Sequence, residues 1–216
     1  MLCLRPGSAG NAMQQFNFRR KDARVRELSF PMTGGGMPTC DDILLLARYN
    51  ATMNRQLYDA AANLPHEAVV ADRGAFFGSL LGTLNHLVAA DSIWLSRFAG
   101  HASDFRALET LRSAAIPVDL RQSYGDSLPL LRVQRERIDG IIMALAAEVT
   151  AADLDHVLAY RNTRGATFCK PFGSLLLHFF NHQTHHRGQA STLLTQAGAD
   201  IGVTDLLVLI GDRPPA

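Results

Sequence analysis

The stretch that decides the fold is Leu175-Leu176-Leu177-His178-Phe179-Phe180-Asn181-His182-Gln183-Thr184-His185-His186-Arg187-Gly188-Gln189. Its apolar residues recur with the period of an amphipathic helix. Pro171 suits the first turn of that helix, where a missing N–H costs nothing, and Gly198 suits its stop, so the pattern predicts a long helix over 171–197. His178, His182 and His186 fall at i, i+4 and i+8 and share one face, the interior face that also carries Leu175 and Phe179. Three imidazoles there without partners would be costly to desolvate. Two imidazoles one turn apart can converge on one cation, which is why HxxxH on a helix recurs in metal sites. A helix with several hydrogen-bonded or surface histidines satisfies the same pattern. His185 points about 100° away from its neighbour on the helix, toward the rim.

Upstream, three more helices are predicted. Thr39 is the expected N-cap of the first, with Asp41 and Asp42 in its first turn and Pro65 as its stop. The second starts near Ser79 and closes at Gly100. Residues 101–118 read as a loop with one helical turn, ending at Pro117. The third spans 119–148, with Gly125 and Pro129 pushing its start toward Ser127. Two extended runs, 156–163 and 166–170, flank Arg164-Gly165 and predict a small hairpin. A short fifth helix is expected over 204–210. The fold class is therefore all-α: a four-helix bundle with a hairpin before the last long helix and a short C-terminal helix.

Composition sets the outer bounds. The chain has 216 residues, 21 basic and 20 acidic, and 47% hydrophobic residues, an ordinary globular balance. A net charge of +1 is too small for a strongly basic nucleic-acid binder. No apolar run reaches the ~18 residues needed to cross a bilayer. Cys3, Cys40 and Cys169 form no CxxC, an odd and sparse set that fits a reducing cytoplasm rather than a disulfide framework. Residues 1–37 hold six of the basic residues and two of the acidic ones, with little apolar periodicity. They are read as a flexible basic extension, or as sequence upstream of a start at Met32 or Met37, with an arginine-rich transit peptide as the alternative. The domain is placed at residues 38–216, which are mildly acidic without that leader.

One further ligand from another helix would complete a facial set with open coordination positions, the pattern of a catalytic metal site. His86, in the otherwise apolar Leu84-Asn85-His86-Leu87-Val88, is the candidate, and a hydrogen-bonded core histidine is the competing reading. His66, His101 and His156 fall in predicted loops and are expected to be solvated. Asp91, about 140° round the helix from His86, is expected in a salt link. Gly188 and Gln189 are read as permitting close helix packing. Trp94, Leu95 and Phe98 offer apolar area for association, or core.

Ala47-Arg48-Tyr49-Asn50, Leu84-Asn85-His86-Leu87, Tyr160-Arg161-Asn162-Thr163 and His182 through His186-Arg187-Gly188-Gln189 together resemble the DinB family, the damage-inducible four-helix bundles distinct from the Y-family polymerase of the same name. The resemblance covers about residues 39–210. It implies a metal-binding bundle, a homodimer, and His86, His182 and His186 as ligands of a divalent ion, zinc or nickel, with His178 a neighbour. Relatives of that class include bacillithiol transferases and a mycothiol-dependent maleylpyruvate isomerase. The resemblance thus implies a metal-dependent enzyme acting on a small-molecule substrate with a low-molecular-weight thiol, as transferase, isomerase or hydrolase. A non-catalytic metal-binding stress-response protein is the alternative. Tyr49, Tyr160 and Arg187 are the candidate substrate-binding residues, Arg187 through a substrate carboxylate or else in a surface ion pair. No nucleic acid or membrane partner is expected, and Cys169 carries no mark of activation.

Overall fold

The structure, a computed structural model, describes residues 36–113, 120 and 122–212. The reading of residues 1–35 as a flexible extension, and the loop end at Pro117, lie outside the described residues. In chain order the elements are α1 (Cys40–Ala62), α2 (His66–Val70), α3 (Leu80–Phe98), a 3-10 turn (Arg106–Leu108), α4 (Glu109–Arg112), α5 (Leu128–Glu148), α6 (Ala151–Asp155), β1 (Val157–Arg161), β2 (Thr167–Pro171), α7 (Phe172–Gln196) and a 3-10 turn (Leu206–Leu209).

The four long helices begin where local chemistry says they should. Thr39 Oγ1 accepts the Asp42 N–H at 3.1 Å while Asp42 accepts the Thr39 N–H at 2.9 Å, a reciprocal cap on α1. Ser79 caps α3 by accepting the Gly82 N–H at 3.0 Å. Ser127 is the N-cap of α5, with Pro129 in the first turn where it is tolerated. Pro171 ends β2 and sits at the N-cap of α7, one position before the first turn expected for it. Gly198, at φ +83°, follows the C-cap of α7.

The hairpin is antiparallel with Ala159 opposite Cys169. Asn162 Oδ1 accepts the Arg164 and Ala166 N–H groups at 2.9 and 3.0 Å and shapes the turn. The expected short C-terminal helix is a 3-10 helix over Leu206–Leu209, with Leu207 exposed and Leu206 and Leu209 half-buried. No helix among the described residues is long and apolar enough to cross a membrane.

α1 packs against α5 and α7, and α3 packs against the same two, so the ring runs α1–α5–α3–α7. The core between them is aliphatic and aromatic, with Phe98, Phe172, Phe179, Leu84 and Leu131 fully enclosed. Leu95 and Phe98 belong to it, which removes them from any association surface; Trp94 remains half-buried. His101, expected in solvent, is buried against Phe105 and Phe172 with its Nδ1 accepting the Ser103 N–H at 3.0 Å; burial lowers its pKa.

A polar chain crosses this core. Asp91 on α3 meets Arg135 on α5 at 2.5 Å, and Arg135 also pairs with Asp139 at 3.0 Å. Asp139 accepts the side-chain amides of Asn50 and Asn54 from α1 at 3.0 and 2.9 Å, and the Asn50 Oδ1 in turn accepts the Arg187 guanidinium of α7. Every member except Asp139 is buried, and Asp91 is wholly so. Burial pushes the Asp91 carboxyl up, and the Arg135 charge opposes this. Replacing Arg135 with Met leaves two carboxylates facing a core without their cation. Arg135→Met is expected to lower the unfolding free energy by about 3–5 kcal/mol, measured by urea denaturation.

Candidate metal centre

Two helices and two connecting segments build the centre. α7 presents His182 and His186 one turn apart, and α3 presents His86 from the facing side. The His186 Nε2 lies 3.1 Å from the His86 Nε2 and 3.1 Å from the His182 Nε2. All three ligand nitrogens fall within 4.8 Å of one another.

The outer nitrogens explain the convergence. His86 Nδ1 is 3.0 Å from the Leu120 carbonyl, and His186 Nδ1 is 2.8 Å from Gln189 Oε1. Both partners only accept, so each Nδ1 carries the proton and each Nε2 presents a lone pair inward. Two such lone pairs 3.1 Å apart repel unless a cation lies between them. Protonation is a poor answer: burial and then the neighbouring imidazoles push His182 down to about 3, and burial lowers His186. A divalent ion answers it, and imidazole nitrogens are common ligands for one. The residues present therefore fit a metal.

The surroundings hold the imidazoles in place. Asn85, next to His86, is buried and donates to the Leu81 and Gly125 carbonyls at 3.2 and 2.9 Å. It also accepts the Tyr124 and Gly125 N–H groups at 2.6 and 3.3 Å. One amide thereby ties the segment before α5 onto α3. Phe77 stacks on His86 with ring centroids 3.9 Å apart. That stacking needs Gly82: a Cβ there would stand 2.1 Å from the Phe77 carbonyl oxygen.

The other residues singled out from sequence divide into groups. His178 is exposed, one turn from His182 at a centroid distance of 6.1 Å, and is not in the converging set. His185 is exposed at the rim and Asn181 faces outward. Arg187 turns to α1 while His186 turns to α3. Its guanidinium lies 5.2 Å from the Tyr49 ring, and both residues line a cavity of about 120 Å³. Arg187 is buried and hydrogen-bonded to Asn50 and Thr184 rather than paired with a surface carboxylate. Tyr49 donates to the Thr204 carbonyl at 2.6 Å. Tyr160 stands elsewhere, on β1, its ring 5.4 Å from Trp94. Cys169 is exposed on β2.

Two expectations need correction. Gly188 is exposed with nothing within 4 Å of where a Cβ would sit, so it is not a close-packing residue. Gln189 does not serve packing either; it orients His186. Its i, i+3 spacing from His186 is a signal that sequence reasoning could have used. Leu120 gives no such signal, because a backbone carbonyl has no residue type.

Comparison with known proteins agrees with this picture. The model of the DinB family matches residues 37–211. The protein DinB of Bacillus subtilis (strain 168) is 28% identical over 162 residues, 74% of this chain and 88% of that protein. No solved structure gives a significant match.

His182→Ala is expected to abolish stoichiometric metal in elemental analysis, and His178→Ala to retain it. Gln189→Ala, which frees His186 to rotate, should weaken metal affinity by about 10- to 100-fold in a chelator competition.

Proposed function

Since the chain belongs to the DinB family, we propose that it is a metal-dependent enzyme that activates a low-molecular-weight thiol for attack on an electrophilic small molecule. The observation that carries this reading is the convergence of the three Nε2 atoms of His86, His182 and His186, with two of the rings oriented by acceptors behind them. A bound zinc or nickel ion supplies Lewis acidity, lowering the pKa of a thiol placed on it.

The chain's own residues do the rest. Leu120 and Gln189 hold the two outer protons and keep two rings in one tautomer. Phe77 covers one side of His86 and keeps water from it. No cysteine joins the cluster among the described residues, so the nucleophile arrives with the thiol cosubstrate. Tyr49, Tyr160 and Arg187 remain candidate substrate contacts, in the two places described above. A cytoplasmic setting fits thiol chemistry, since the cytoplasm keeps such thiols reduced. Damage-inducible expression and a homodimer are part of the same reading. The second reading, a non-catalytic metal-binding stress protein, keeps the centre and drops the turnover.

A thiol-plus-electrophile screen of the purified protein with glutathione, bacillithiol and mycothiol separates the two. The first reading expects product formation that a chelator abolishes and added zinc or nickel restores. Full metal loading with no turnover of any thiol would decide for the second. Sedimentation at micromolar concentration is expected to give a dimer; a monomer there would remove the association.

A further inference from the structure

The strongest unexplained group outside the imidazole cluster is Arg97. Arg112, Arg132, Arg135 and Arg187 each grip a carboxylate or an amide oxygen. Arg97 has no hydrogen-bond acceptor or carboxylate among the described residues. It is nonetheless half-buried, and burial lowers its pKa. Its guanidinium lies 4.5 Å above the Trp94 ring and 5.3 Å from Tyr160. The aromatic faces hold the planar cation in place but satisfy none of its five N–H donors.

Its position relates it to the metal centre. Trp94 touches His178 at 5.1 Å between centroids, and His178 touches His182 at 6.1 Å. α3 and α7 run in opposite directions, since His86 faces His182 and His186 while Trp94 faces His178. Eight residues separate His86 from Trp94, about 12 Å along the helix at 1.5 Å per residue. The Arg97 guanidinium, over the Trp94 ring, stands at about the same remove from His86. A ligand held at both ends must span roughly 12 Å, the reach of about three to four extended residues.

We propose that Arg97 anchors a carboxylate of the substrate, so that the site takes a carboxylate-bearing thiol of about tripeptide size, with its sulfur at the imidazole cluster. This rests on the thiol-activating reading of that cluster. The guanidinium fork matches a carboxylate bidentately. One guanidinium balances one carboxylate charge, whereas a phosphate dianion leaves a charge unmatched. Trp94 and Tyr160 provide an apolar floor for the chain between the two ends.

The test uses the full-length, metal-loaded protein with glutathione and S-methylglutathione. Trp94 is the only tryptophan in the chain, so its emission reports the site, and calorimetry gives the affinities. Both probes are expected to change the emission. Arg97→Gln should weaken both by about tenfold, the loss of a charge-assisted hydrogen-bond pair, with metal content unchanged. Esterified glutathione should bind the unaltered protein as weakly as glutathione binds that variant, a measurement that needs no mutation. His182→Ala should still bind S-methylglutathione. Equal affinity of both probes for Arg97→Gln and the unaltered protein would overturn the anchor, as would no emission change with either probe. Metal-dependent glutathione binding that ignores Arg97 refutes the anchor and leaves the thiol reading. Arg97-dependent S-methylglutathione binding, with no gain from a free thiol, does the reverse.

Discussion

The bundle depends on one buried cation. Arg135 sits between Asp91 and Asp139, and through Asn50 the same chain of contacts reaches Arg187. It touches all four long helices. Against an apolar core such a chain adds little net stability, but any register that breaks it strands a desolvated charge. Asp91 stands five residues after His86, and Arg187 directly follows His186. Fixing Asp91 relative to Arg187 across the bundle therefore fixes the height of His86 against His186. Nonpolar packing alone tolerates small slides of one helix along another. A buried carboxylate that must meet one guanidinium does not.

Once the helices are in register, the centre is set by what stands behind the rings. An imidazole presents a lone pair at Nε2 only if its proton is kept at Nδ1. Here a backbone carbonyl and a glutamine amide keep it there for His86 and His186. Asn85 contributes indirectly by tying residues 124 and 125 to α3, near the segment that supplies that carbonyl. Phe77 arrives by a different route, through the space that Gly82 leaves on the first turn of α3. Residues with no affinity for metal thus decide whether three histidines make a donor set.

The two faces beside the centre differ. On the α3–α7 side, Trp94, Arg97, Tyr160 and His178 continue the line of the imidazoles. On the α1–α7 side, Tyr49 and Arg187 line a cavity, and Arg187 is already committed to Asn50 and Thr184. The two arginines differ in the way that matters for ligand capture. One has its donors engaged inside the protein, and the other has them available.

By itself the sequence determined the helices, because their signals are local: the Thr39 cap, Ser79, Ser127 with Pro129, and Gly198 act within a turn of where they stand. It also determined that His182 and His186 share a face, since helical spacing is a property of one segment. It placed His86 as a candidate, and the resemblance to a family made it the third ligand. Only the tertiary structure decided the rest. The pairing of Asp91 with Arg135 joins residues 44 positions apart, and the contact of His86 with Leu120 involves an atom every residue possesses. His101 reads as solvated because it falls in a predicted loop, yet it is buried because Phe105, four residues on, and Phe172, from α7 later in the chain, close over it. Gln189 could have been found from its spacing, but its role follows from which way His186 must turn. Local periodicity fixes which face a side chain is on; what waits opposite that face is a property of the packed chain alone.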